Sequence, residues 1–342
     1  MAFKTKTVVR TVLSLLLAAV FLYVAFRGTS SSDLWQSLQE VHYLWIILLV
    51  PIGLASHYVR AIRWKYLLDH VKPNISTPNL FSAVMIGYMV NNVLPRVGEL
   101  VRPYVAGKLE GISKSTAFGT VVIERIIDMM TFFFLLCAVL FLYPEGLAAL
   151  WDGAPNLRPL FLAGSVGSFA VLVLIFFKSE SIFRLVRYLK PLIPARYREK
   201  LDSAIESFLS GFRIASTRKK LPLVILLSIT IWFLYGLGLY VPFFAFDSIA
   251  SLNLGFGESM ILVTVTTLAF VLPAPGAFGT YHSFLKFSLI KLYGVDDLTA
   301  LSYSIVTHEV NYLVIMIVGV FYFLKDHLKV SEMRLETSKA VE

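Results

Sequence analysis

The chain carries a single cysteine, Cys137, set in an apolar run, so no intramolecular disulfide can form. Neither a CxxC nor a Cys/His cluster at metal-site spacing is present, and no Gly-rich nucleotide-binding loop is found. Charge is scarce too: 15% of the 342 residues are charged against 57% apolar, with a mean hydropathy of +0.73. That balance excludes a soluble globular domain. A formal charge of +9 would suit nucleic acid if the basic residues shared one face, but they fall between apolar runs. What remains is an integral membrane protein.

Crossing roughly 30 Å of hydrocarbon takes about 20 apolar residues as helix. Six segments qualify, at about 8–27, 42–62, 118–143, 157–177, 221–246 and 299–324. The first follows Lys4, Lys6 and Arg10 and lacks a small-x-small cleavage site after it, so it reads as an uncleaved span. Two further segments, 80–94 and 258–272, run only about 15 residues, or about 22 Å, before each meets a Val-Leu-Pro. They are too short to cross. Each continues into a semi-polar stretch, so 80–110 and 258–293 read as re-entrant helical hairpins.

The basic residues agree with this count. With the N-terminus inside and neither hairpin crossing, the inner segments hold 26 of the 31 Lys and Arg residues. Both termini are then cytoplasmic. The one sizeable loop, 178–220, places Tyr197, Leu201, Ile205, Phe208 and Phe212 on one helical face, either against the inner leaflet or against the bundle.

The two Val-Leu-Pro breaks belong to a repeat. An offset of 178 aligns Val93-Leu94-Pro95 with Val271-Leu272-Pro273, and after a five-residue insertion an offset of 183 aligns Gly111 with Gly294, Arg125 with His308 and Asp128 with Asn311. Each copy holds three spans and a hairpin, an odd number of crossings, so the second lies upside down. The expected fold is an all-α membrane protein of six transmembrane helices plus two re-entrant hairpins in an inverted 3+3 repeat. The first copy is 1–150 and the second 151–326, with a cytoplasmic tail at 327–342.

Several residues are costly at these depths. Glu124, Arg125 and Asp128 lie about a third of the way into the third span, and His308, Glu309 and Asn311 occupy the matching turn of the sixth. A charge near the bilayer centre costs about 2.5 to 3.5 kcal/mol on the lenient scale, so these groups face protein or water. They form either a substrate site or an ion-pair network that pins two helices. The string HEVNY lacks the second His of a zinc-protease motif. Around the breaks stand Asn91, Asn92, Arg96, Glu99 and Arg102, then Tyr281, His282 and Lys286, with Pro95, Gly98, Pro273, Pro275, Gly276 and Gly279 as turn residues. Arg102 suits headgroup phosphate or interface anchoring equally. RAIRWKYLL at 60–68 reads as an interface belt.

NNVLPRVGELVRPY at 91–104, IERIIDMM at 123–130 and PAPGAFGTYH at 273–282 together resemble the flippase-like, lysylphosphatidylglycerol synthase transmembrane-region family, the membrane part of multiple peptide resistance factor-type proteins. Pro95, Gly98, Glu99 and Arg102 match the pattern of its first hairpin. In the second, Pro275, Gly276 and Gly279 fit, whereas Ala277 replaces a Gly and His282 stands where an acid is common. The resemblance implies movement of a phospholipid or polyprenyl-linked lipid, with a charged or glycosylated head, between leaflets of the cytoplasmic membrane. It also implies a separate synthase or glycosyltransferase chain as partner, because the loops and tail are too small to hold one. Neither cofactor nor metal is expected. The headgroup would sit between Arg125, Asp128, His308 and Glu309, with protons carried by the ionisable residues. The alternatives are a membrane subunit of a transferase system and an ion or small-solute carrier.

Overall fold

The computed structural model describes residues 2–69, 71–144, 157–189 and 220–328. Among them all regular structure is helical: α1 Ala2–Phe26, α2 Ser31–Gln39, α3 Tyr43–Ile47, α4 Leu49–Leu68, α5 Thr77–Val93, α6 Gly98–Glu110, α7 Lys114–Leu142 and α8 Leu157–Leu189. Then follow α9 Leu221–Tyr240, α10 Asp247–Ala250, α11 Phe256–Ala269, α12 Thr280–Tyr293 and α13 Asp297–Lys325, with 3-10 turns at Val241–Ala245 and Pro275–Ala277. The amphipathic face through Tyr197 and Phe212 lies outside the described residues.

Five stretches are long and apolar enough to cross a membrane: Tyr43–Leu68, Lys114–Leu142, Leu157–Lys178, Leu221–Ala245 and Asp297–Lys325. A sixth is reached if the start of the chain counts as one broken span, since Val12–Phe26 and Ser31–Gln39 meet at 78°. The exterior is apolar in keeping with lipid, with Leu16, Phe134, Leu174, Ile229 and Ile317 each more than half exposed. The protein is therefore a multi-pass membrane protein.

The short helices stop for local reasons. Pro95 excludes the helical region for Leu94, which is extended at φ −125° and ψ 98°, so α5 ends at Val93. α6 ends on Gly111 in the left-handed conformation. α5 and α6 form an antiparallel hairpin: Asn79 donates to Glu110 Oε1 at 2.7 Å at one end, and the Gly98 N–H donates to Asn91 Oδ1 at 2.7 Å near the other. α11 and α12 form the second hairpin, with α11 ending at Ala269, three residues short of the Val-Leu-Pro-bearing 272 position.

Two cores result. Trp64, Leu67, Leu80, Val84, Val105, Ala117 and Ile123 join α4, α5, α6 and α7. Leu239, Phe243, Leu262, Leu285 and Tyr303 join α9, α11, α12 and α13, where the Tyr303 hydroxyl donates to the Leu239 carbonyl. α4 and α9 pack against each other between them.

Candidate functional site

The costly residues of α7 are bonded to α4. Arg60 Nη1 lies 2.7 Å from both Glu124 Oε1 and Asp128 Oδ2, and its Nη2 donates to the Tyr235 hydroxyl at 3.0 Å. Arg63 Nη2 reaches Asp128 Oδ1 at 2.5 Å and Glu124 Oε1 at 3.1 Å, while its Nη1 donates to Ser228 Oγ at 2.8 Å. Arg102, from α6, lies 2.7 Å from Glu124 Oε2 with its guanidinium 3.9 Å from the centre of the Trp64 ring. Arg125 pairs with Glu99 Oε2 at 2.9 Å and with Asp128 Oδ2 at 3.1 Å, and Asn91 donates to Glu99 Oε1 at 3.2 Å.

Four guanidiniums thus face three carboxylates, leaving one positive charge over. Arg63 and Glu124 are fully buried, and Arg60 and Arg102 nearly so; Arg125 at 34% exposure is the group of the four that reaches the surface. Burying these charges is tolerable only because they are mutually paired. Donors are nevertheless in surplus: Arg102 Nε and Nη1, Asn92 Nδ2 and the one N–H of a neutral His57 ring are buried without a hydrogen-bond partner.

This corrects two sequence expectations. Arg60, Arg63 and Trp64 are no interface belt but the centre of the first core, at 4%, 0% and 0% exposure. Tyr66-Leu67-Leu68 carries the helix on past the arginines. Arg102 is buried at 3% exposure and does not anchor at a surface. Trp64 Nε1 further donates to Thr120 at 2.9 Å, so Trp64→Phe is expected to cost about 1 kcal/mol, read as a lowered unfolding midpoint.

The residues of α13 form a separate group. His308 Nε2 lies 2.8 Å from the Gly276 carbonyl and its Nδ1 3.1 Å from Glu309 Oε1, which is also 3.6 Å from His282 Nε2. Tyr281 donates to Thr307 at 3.2 Å with its ring 5.0 Å from that of His308. Asn311 points elsewhere, its Oδ1 facing Gly53 of α4. Among the described residues no hydrogen bond or ion pair links this group to the α7 network. The α4 face from Gly53 through His57 to Arg60 runs between them, about 10 Å along the helix.

Folding also gathers what the spacing hid: ligand atoms of His282, His308 and Glu309 lie within 4.8 Å of one another. The hydrogen bonds do not suit a metal ion. The Gly279 N–H donates to His282 Nδ1, so the proton of that ring sits on Nε2, the nitrogen turned toward Glu309.

At the breaks, Arg96 Nη2 donates to the Val271 carbonyl at 3.2 Å, and the Asn92 carbonyl lies beside Gly276. The tips of the two hairpins therefore touch. Arg96, at φ +68°, Ala277, at +56°, and Gly276 and Gly279, at +54° and +77°, hold left-handed backbone there.

A helical multi-pass membrane protein with an arginine-carboxylate network between α4, α6 and α7 is the class these features define. Within it, the chain belongs to the family of lysylphosphatidylglycerol synthase transmembrane regions, whose model matches residues 11–319. It is similar to a UPF0104 membrane protein of Methanocaldococcus jannaschii, at 24% identity over 80% of this chain and 82% of the relative. Another, from Methanothermobacter thermautotrophicus, is 25% identical over 84% of this chain and 87% of its own length. Glycosyltransferase AglD of Haloferax volcanii is 26% identical over 79% of this chain but 47% of its own, longer sequence. No solved structure matches.

Proposed function

We propose that the protein moves a lipid with an anionic or glycosylated head between the leaflets of the cytoplasmic membrane, without nucleotide hydrolysis. The observation that carries this reading is the buried network with one guanidinium in excess and unpartnered donors on Arg102, His57 and Asn92. Guanidinium binds phosphate oxygens bidentately, and a positive surplus inside a bundle suits a phosphate that must leave water. Arg125, with Glu99 on the partly exposed side, would meet the headgroup first. Asp128 and Glu124 would hold the cations in place, Arg96 would tie the two hairpin tips together, and the His308, Glu309, Tyr281 and His282 group would serve the opposite hairpin, with Asn311 beside Gly53 of α4.

An inverted 3+3 repeat of 1–150 and 151–326 supports such a path. α7 and α13 are each 29 residues long, and both ends match at an offset of 183, from 114 to 297 and from 142 to 325. Gly111 and Gly294, also 183 apart, close α6 and α12 at φ +65° and +66°. Hairpins that re-enter from opposite faces and are each too short to cross would meet near the midplane, which accords with the Arg96 to Val271 contact. On the positive-inside count both termini would be cytoplasmic.

The test is leaflet exchange of fluorescent phospholipids with varied heads in liposomes holding the purified protein. Exchange is expected to be head-selective and to fall about tenfold or more in Arg125→Ala, the value of one charge-assisted hydrogen bond. A protein that folds yet exchanges no lipid would sink the proposal. The name of the Haloferax relative favours one second reading, a membrane subunit of a lipid-linked transferase with a separate synthase or glycosyltransferase chain. A new lipid species in the same vesicles would identify that outcome.

A further inference from the structure

We propose that His308 and Glu309 bind one exchangeable proton, and that this proton latches the break of the second hairpin to α13. The argument rests on donors and acceptors. A backbone carbonyl can only accept, so the 2.8 Å contact of His308 Nε2 with Gly276 O requires a proton on Nε2. In a neutral ring the remaining nitrogen, Nδ1, is then a bare lone pair. It faces Glu309 Oε1 at 3.1 Å, and an ionised carboxylate is also acceptor-only. Two acceptors cannot share that distance without a proton between them. Imidazole being the stronger base, the proton resides on His308, and the pair is imidazolium and carboxylate.

His282 cannot supply that proton by rotating. Its Nδ1 is occupied by the Gly279 N–H, which holds the ring in one tautomer and turns its own N–H toward the same Glu309 Oε1, at 3.6 Å. The other neighbours offer none either. Phe278 and Tyr281 present rings at 5.0 Å, and Tyr312 stacks at 6.1 Å. From α5 the one ionisable side chain is Tyr88, packed on His57 at 4.8 Å. The α4 arginines are bonded to Glu124 and Asp128, and α2, whose ionisable residue is Asp33, meets α13 at Ser302. Lys286 of α12 is bonded to Ala25 O and Asp297. Glu309, at 34% exposure beside His308 at 5%, gives the proton its route in and out.

Loss of the proton has a structural consequence. A neutral His308 either keeps Nε2–H, leaving a lone pair against a carboxylate, or moves its proton to Nδ1, satisfying Glu309 and releasing the Gly276 carbonyl. In the second case the stretch from Gly276 to Gly279, already left-handed at three positions, loses its tie to α13. The proton site stands on the geometry alone; its use as the coupling ion rests on the translocation reading.

The experiment takes full-length protein labelled with 15N-histidine in lipid nanodiscs near neutral pH, with His308→Gln identifying the resonances. The parent is expected to show both ring nitrogens of His308 protonated. Glu309→Gln, whose amide donates to Nδ1, is expected to show Nε2–H alone. A bare Nδ1 in the parent, or a spectrum unchanged by Glu309→Gln, overturns the proposal. In liposomes a pH gradient should change exchange several-fold in the parent and leave Glu309→Gln unaffected; parent exchange indifferent to the gradient overturns the coupling. The two readings fail separately: the His308 signature without exchange of any lipid removes translocation and keeps the proton site, and head-selective exchange with a bare Nδ1 does the reverse.

Discussion

Replacing Glu124 with Ala is expected to destabilise the protein by about 3 to 5 kcal/mol, the cost of removing one partner from a buried ion pair. The residue is fully buried and touches three guanidiniums, Arg60 at 2.7 Å, Arg63 at 3.1 Å and Arg102 at 2.7 Å. Without it, Arg60 and Arg63 keep only Asp128, which Arg125 also engages, and Arg102 retains only the Trp64 ring. Two buried cations would share one carboxylate and a third would have none in a low-dielectric core. Against a total stability of roughly 5 to 15 kcal/mol, that loss removes a large part of the folded population. Equilibrium unfolding in mixed micelles measures it directly. Arg125→Ala, at a site one third exposed, is expected to lose far less stability while losing exchange, so the two variants separate folding from transport. A Glu124→Ala protein as stable as its parent would mean the network is wet rather than buried.

The second large effect belongs to Gly98→Ala. A methyl group there would lie 1.9 Å from the Gly87 carbonyl oxygen and 2.7 Å from the Asn91 side chain. The Gly87 oxygen is backbone and cannot swing aside, so α5 and α6 must separate. Overpacking of this kind costs about 1 to 3 kcal/mol, occasionally more, and the upper end is expected because the hairpin itself is wedged open. Arg102, one turn further along α6 and packed against Gly87, would be carried off Glu124 as well. Gly111→Ala provides the contrast: nothing lies within 4 Å, and only the left-handed backbone opposes the change, at about 1 to 2 kcal/mol. Equal unfolding midpoints for the two variants would refute close hairpin packing as the reason for Gly98.

How legible each element was depends on whether its cause is local. The Val-Leu-Pro break at 93–95 was readable because a proline acts on its immediate neighbour, and α5 ends at Val93 accordingly. The ends of α7 and α13 were read only approximately, as spans at 118–143 and 299–324 against helices Lys114–Leu142 and Asp297–Lys325. Glu124, Arg125 and Asp128 stood out because a charge in an apolar run is costly wherever it packs. Their partners did not. Arg60 and Arg63 sit beside an aromatic near the end of a span, a pattern shared by interface anchors, and only packing of α4 against α7 and α9 tells a buried arginine from an anchoring one.

The sequence by itself determined a multi-pass helical membrane protein, the family to which it belongs, the two broken segments and the residues too costly to face lipid, because hydropathy, proline and charge act residue by residue. The tertiary structure alone decided which charges neutralise which. It placed Glu124 and Asp128 with Arg60, Arg63 and Arg102 rather than with α13, and it brought His282 to His308 and Glu309. Electrostatic pairing at 3 Å depends on distances between helices remote in the chain, and no periodicity or spacing encodes those distances.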